Sequence, residues 1–394
     1  MSTEYIELFD SEEQEQETIK QKNFTDVVTW GTDWTMGTIV DLINREKIDL
    51  NPEMQRREVW NNTKKSRLIE SILLNIPIPQ IILAERKEKK GTYMVIDGKQ
   101  RLLSIIQFLN SLPAYENKSE SKLTLQDLEV IPSLNGKTAY DIYTENTDSL
   151  DYIDSFENQT IRTIIIKNWE SVEILYAVFN RLNTGTVALS AQELRMTLFP
   201  GPFMNYAIKV SSSKRVLNLL KLDKEDSRMR DVELVVRYYS FKLFLGNYDG
   251  KLKSFFDYTV KNLNETWERR EDEIKKEFDN LKSSIDLCKK IFEDNAFKVY
   301  DPDMNQYKRQ FNKSAYDLLT YFLSNPELKV KLEVDEPSLR SFQSLYESLF
   351  EDEKFYSDFQ AHTTDLEKVK YRFFKLCESI NEKYSLDLSL PFEV

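Results

Sequence analysis

The clearest pattern in the chain is a change of rhythm near residue 200. Before it, short apolar runs with the two-residue period of a strand mix with runs of helical spacing. The strand-like runs are Ile48–Leu50, Gln80–Arg86, Thr92–Asp97 and Thr160–Lys167. The helix-like runs are Met36–Glu46, Thr63–Asn75, Gln100–Leu109, Val172–Leu182 and Ser190–Leu198. The mixture has no regular βαβ alternation, which predicts an α+β fold rather than a doubly wound sheet. After "LFPGPF" (198–203) helical periods take over. Asp231–Leu245 aligns Val232, Val235, Val236, Tyr239 and Leu243 on one stripe, and Trp267–Phe292 repeats Ile274, Phe278, Leu281, Ile285, Cys288 and Phe292 between charges. Gln306–Leu323, Ser338–Phe350 and Asp365–Lys383 continue the helical pattern. The expected organisation is an acidic arm over 1–24, disordered or partner-facing, a mixed domain over 25–200, and a helical domain over 201–394.

Composition narrows the chemistry. The formal net charge of −12 is opposite to the usual footprint of a nucleic-acid binder, so any DNA contact is expected from a local patch. The best patch is "QRREVWNNTKKSR" (55–67), with Arg56, Arg57, Lys64, Lys65 and Arg67, although a solvated face is the simpler reading of such a cluster. The single histidine, His362, and two cysteines, Cys288 and Cys377, exclude a Cys/His zinc site and a disulfide scaffold. They also exclude an HNH nuclease within these residues. No apolar run approaches the ~20 residues that span a bilayer, and Met1–Gln21 lacks an export signal, so a cytoplasmic protein with no membrane partner is expected.

The stretch "MVIDGKQRLLSI" (94–105) is the most chemically suggestive. An apolar strand meets Asp97 and Gly98, and a helix begins at once. The first turn of that helix has unpaired N–H groups and the positive end of the dipole. Gly98 allows close backbone approach, and Lys99 and Arg101 add cations, which together suit a phosphate. Asp97 could orient a ribose, a water or a magnesium ion. Taken alone, a tight turn with Gly98 at positive φ and Asp97 as cap is the preferred reading, because the motif is short. No Walker A loop and no GxGxxG is present. Further along, Ser190 and Glu193 have the spacing of a capping box, which explains Glu193 structurally.

Three stretches, "PEMQRREVW" (52–60), "DGKQRL" (97–102) and "FNRLNTGTVALSAQELR" (179–195), occur in this order and together resemble the N-terminal domain of GmrSD-type restriction systems. "RMRDVELVVRYYSFKLF" (228–244) and "FNKSAYDLLTYF" (311–322) resemble later segments of that family. The resemblance implies a ParB/sulfiredoxin-like N-terminal domain followed by a mostly α-helical domain. It also implies binding and hydrolysis of a nucleoside triphosphate, with magnesium and with Asp97, Gln100 and Arg101 as the catalytic residues, in a sensor or switch of anti-phage or restriction-type defence. Carried over by position, Asp97, Gly98, Gln100 and Arg101 would line the phosphates, Gln55 and Arg56 would close over the nucleotide, and Arg181 and Asn183 would complete the site. Glu70 would be a metal-facing carboxylate by looser analogy. Lys99 departs from the glutamine usual in the family, adding a cation or removing a water-orienting amide. With no HNH half, a nuclease or ATPase partner in trans is expected.

Two other functions fit the residues. One is a non-catalytic module that holds DNA or an acidic partner segment in the same corner. The other, weaker, is a metal-dependent nuclease built on "AERK" (84–87), with Glu85, Lys87 and the upstream Asp49.

Overall fold

The computed structural model describes residues 27–50, 60–117, 121–145, 147–169, 174–175, 177–178, 190–226 and 228–392. These fall into two compact units that divide at Ser190. Among the described residues, no helix is long and apolar enough to cross a membrane.

The first unit runs β1 (Val28–Thr35), α1 (Met36–Asn44), β2 (Ile48–Asp49), α2 (Asn62–Leu73), β3 (Ile81–Glu85), β4 (Tyr93–Asp97), α3 (Lys99–Leu109), α4 (Ala139–Glu145), α5 (Thr147–Asn158) and β5 (Thr160–Lys167). Its sheet has the order β1-β5-β3-β4-β2. β1 and β5 pair antiparallel, β5 and β3 parallel, β3 and β4 antiparallel, and β4 and β2 parallel. The mixed sheet agrees with the expected α+β class. The predicted runs over 48–50, 80–86, 92–97 and 160–167 all form strands. β1, "VTWGTDWT", was not predicted, because Gly31 and Asp33 interrupt its apolar positions and its first four residues are exposed.

Helix α3 is the centre of this unit. Leu102, Leu103, Ile105, Ile106, Phe108 and Leu109 are fully buried, joined in one core with Ile81, Leu83, Val95, Ile161 and the apolar faces of α1 and α2. Apolar residues surround the helix because neighbours cover every side of it. Its fully buried Gln107 accepts a hydrogen bond from the buried Lys65 ammonium at 2.9 Å. Lys65 therefore turns inward, a correction to the basic patch expected over 55–67. Within that patch Lys64 lies 4.5 Å over the Trp60 ring and Arg67 pairs with Glu129 at 2.7 Å, while Arg56 and Arg57 lie outside the described residues.

The second unit is helical: α6 (Ala191–Leu198), α7 (Pro202–Ser211), α8 (Lys214–Leu219), α9 (Arg230–Phe244), α10 (Leu252–Glu265), α11 (Trp267–Phe292), α12 (Lys313–Leu323), α13 (Pro326–Leu332), α14 (Glu336–Ser348), α15 (Glu353–Ser357) and α16 (Leu366–Tyr384). The predicted Trp267–Phe292 helix forms over that span. Its residues Ile274, Phe278, Leu281, Ile285, Cys288 and Phe292 are buried. Charges are buried here as well. Arg237 donates to Asp317 from Nε at 2.9 Å and from Nη2 at 2.5 Å, Lys313 meets Glu233 at 3.0 Å, and Arg195 meets Asp257 at 2.6 Å. The Arg195 and Arg237 guanidiniums lie 5.3 and 5.4 Å from the Phe256 ring. Stretches 228–244 and 311–322, separate in sequence, thus meet through paired charges.

A buried guanidinium stripped of its carboxylate is costly. Asp317→Ala is expected to lower unfolding stability by about 3–5 kcal/mol in urea titrations, whereas Arg237→Met combined with Asp317→Leu should recover most of that loss. Equal losses in both proteins would show that the pair does not set the cost.

Candidate functional site

The β4-to-α3 corner is shaped by three local devices. A β-bulge shifts the register of β3 against β4, so that Ile82 faces Asp97 while Leu83 faces Val95. Bulges of this kind re-aim neighbouring side chains. Gly98 follows at φ 95° and ψ 11°, a left-handed conformation that disfavours any side chain. A Cβ at Gly98 would also lie 2.3 Å from Ile81 Cδ1. The chain therefore enters α3 by a turn that only glycine fits.

The third device is the cap. Thr35 caps α1 and Asn61 caps α2, each with its side-chain oxygen on a backbone N–H of the first turn. The N-cap of α3 is Gly98, which has no side chain with which to cap it. Instead Arg101, in its first turn, reaches back across the corner. Its Nη2 donates to Asp97 Oδ2 at 2.6 Å and to the Gln80 carbonyl at 2.9 Å. The Arg101 and Asp97 side chains are 11 % and 26 % exposed. Expectation and structure part here: Asp97 does not cap the helix but holds the guanidinium.

Two polar atoms of the first turn of α3 are left over. Among the described residues, Arg101 Nε and Gln100 Oε1 are buried with no hydrogen-bond partner. An unsatisfied buried group costs about 1–3 kcal/mol, and more when charged. Asp97, Gly98, Lys99, Gln100 and Arg101 are brought together, whereas Gln55, Arg56, Arg181 and Asn183 lie outside the described residues.

Residues 39–200 match the family model of the GmrSD restriction endonuclease N-terminal domain. Over these residues the chain is similar to that domain. The match contains all three stretches on which the resemblance rested and ties the chain to restriction-related proteins. No curated protein and no solved structure matches the chain.

Several of the remaining residues of the matched region have structural work. Glu70, expected as a metal-facing carboxylate, is a correction. It is 5 % exposed and accepts backbone N–H bonds from Glu129, Val130 and Ile131 at 3.2, 2.7 and 2.8 Å, which fixes the loop beside α2. Burial pushes its carboxyl upward, but those three donors and the nearby Arg67 outweigh burial and bring it below its ordinary value. The "AERK" nuclease reading is likewise corrected. Glu85 Oε1 accepts from Gly91 N at 3.0 Å and closes the β3–β4 hairpin, Asp49 pairs with Arg86, and Lys87 lies 4.4 Å over the Trp169 ring. Among the described residues, no three His, Cys, Asp or Glu side chains converge to hold a metal ion. Ser190 and Glu193 do form the capping box, with Ser190 N donating to Glu193 Oε2 and Glu193 N to Ser190 Oγ.

The carbonyl of Gln80 and the side chain of Ile81 were missed by sequence reasoning. A backbone oxygen carries no residue signature, and Ile81 reads only as a strand position.

Gly98→Ala is expected to destabilise the protein by about 1–3 kcal/mol in chemical denaturation, through left-handed strain and the Ile81 contact. An unchanged midpoint would mean that the corner has another backbone path. For Glu70 the sign follows from a folded-state pKa below the unfolded one. Its contribution is present above the ordinary glutamate range and is lost as pH falls through the lowered folded value. Glu70→Gln should therefore cost about 1–3 kcal/mol at pH 7, with the gap to wild type closing as denaturation is repeated at decreasing pH below about 4. A gap independent of pH would contradict the three-donor account.

Proposed function

We propose that this chain is a nucleoside-triphosphate-binding switch subunit of a prokaryotic restriction-type defence system, with DNA cleavage supplied outside these 394 residues. The observation that supports this most directly is the buried, unpartnered Arg101 Nε at the start of a helix whose N-cap is Gly98. A phosphate oxygen would give that N–H a charge-assisted partner, and the first-turn amides of α3 would share the anion. Gln100 Oε1, also buried without a partner, would accept a donor from the same ligand. The family match supplies the restriction context.

The residues present fit the phosphates of a nucleotide better than they fit a magnesium ion. Among the described residues, Asp97 is the carboxylate of this corner, and Arg101 occupies one of its oxygens. Binding and orientation of phosphate are the work assigned to Gly98, Gln100 and Arg101, and Lys99 adds a cation to the same turn. DNA and a protein effector are the partners that the restriction context suggests, and nucleotide occupancy of the corner would govern their engagement.

The test is equilibrium binding and turnover of the four nucleoside triphosphates, with and without DNA, for wild type and Arg101→Ala. Wild type is expected to bind and hydrolyse at least one of them. Arg101→Ala should lose affinity by about tenfold or more, the size of one charged hydrogen bond. Indistinguishable binding by the two proteins would overturn the proposal. Binding without hydrolysis would favour the non-catalytic module.

A further inference from the structure

The guanidinium that would receive a phosphate already holds a carboxylate. Asp97 stands one residue before the N-cap Gly98, so its charge faces both the positive end of α3 and the Arg101 side chain. Asp97 is also tethered to the same turn, so it competes at a local concentration far above that of a dissolved ion.

We infer that Asp97 is a specificity-determining residue: an internal competitor that keeps single phosphate groups out of the corner and yields only to a polyphosphate. This rests on the phosphate reading given above. A lone orthophosphate has a single charged group with which to replace the carboxylate on Nη2, fill Nε and lie on the α3 amides, so it recovers less of the ion pair it breaks. A polyphosphate brings several adjacent charged groups, so one can take the guanidinium while another lies on the α3 amides. The geometry permits the exchange without loss of Arg101's position. Nη2 is held by the Gln80 carbonyl as well as by Asp97, so the guanidinium keeps one anchor when the carboxylate leaves. Asp97, the more exposed partner at 26 % against 11 %, is the one able to turn toward water. Arg101 Nε gains the partner it lacks.

The test is calorimetric titration of the full chain with inorganic tripolyphosphate and with orthophosphate, for wild type, Asp97→Asn, Asp97→Ser and Asp97→Asn combined with Arg101→Gln. Thermal melts confirm that each is folded. Wild type is expected to favour tripolyphosphate by more than about tenfold, and Asp97→Asn to tighten orthophosphate by about tenfold, so that the discrimination narrows. The gain should vanish when Arg101 is also replaced, which separates competition at Arg101 from a general change in charge. Asp97→Ser carries the same expectation should the asparagine variant fail to fold. Weaker or unchanged orthophosphate binding in the Asp97 variants overturns the competitor role, yet leaves the phosphate seat standing if wild type still binds tripolyphosphate. A wild type that takes both anions equally overturns the inference whatever the variants do. Binding of neither anion by any of the proteins overturns the phosphate seat itself.

Discussion

The Arg101 guanidinium is held from two directions, by the Asp97 carboxylate at the end of β4 and by the Gln80 carbonyl just before β3. These bonds fasten the start of α3 to both strands of the central hairpin. The helix behind that fastening is buried along its length from Leu102 to Leu109, so its axis cannot shift without disturbing the core of the first unit. The corner is thus rigid on its protein side. What it leaves open is chemical: a guanidinium N–H and an amide oxygen, both buried and both unmatched.

The buried arginines of the helical unit make a useful contrast. Arg237 meets Asp317 through two parallel bonds, and Arg195 is shared between Asp257 and Gln192, with Phe256 flanked by both guanidiniums. Such pairs tie distant segments together and fix which helices are neighbours. Their side chains are 0 % and 1 % exposed, which leaves no surface for a ligand. Arg101 differs in having one anchor that is backbone, one that is partly exposed, and one N–H with neither.

Much of this was legible in the residues themselves. Strands β2 to β5 announce themselves through short runs of Ile, Val and Leu between turn residues, and α3 through the period of Leu102, Ile105, Ile106 and Leu109. The left-handed turn at Gly98 follows from the Asp-Gly step between them. Less legible were features that depend on chain partners distant in sequence. β1 carries Gly31 and Asp33, and forms along the β5 edge, with Asp33 facing Arg162. Helices α4 and α5 are short and polar, and form where Ile142, Ile153 and Phe156 reach the core. The roles of Glu70 and Lys65 were misread because a charged residue on an amphipathic helix looks solvated until the loop or helix opposite it is known. The reversal at Asp97, from cap to counter-ion, belongs to the same class: the carboxylate had two candidate partners within one turn, and only geometry chooses.

The account therefore turns on whether Arg101 Nε acquires a partner when an anion arrives. Nitrogen-detected magnetic resonance of the arginine side chains can follow that single N–H, with its signal identified by its loss in Arg101→Lys. Addition of tripolyphosphate is expected to move the Arg101 Nε–H signal downfield and slow its exchange with water, while the signals of Arg195 and Arg237 stay in place. An Arg101 signal unmoved at saturating tripolyphosphate would contradict the account, and would leave Asp97 and Arg101 as no more than the rivet of a turn.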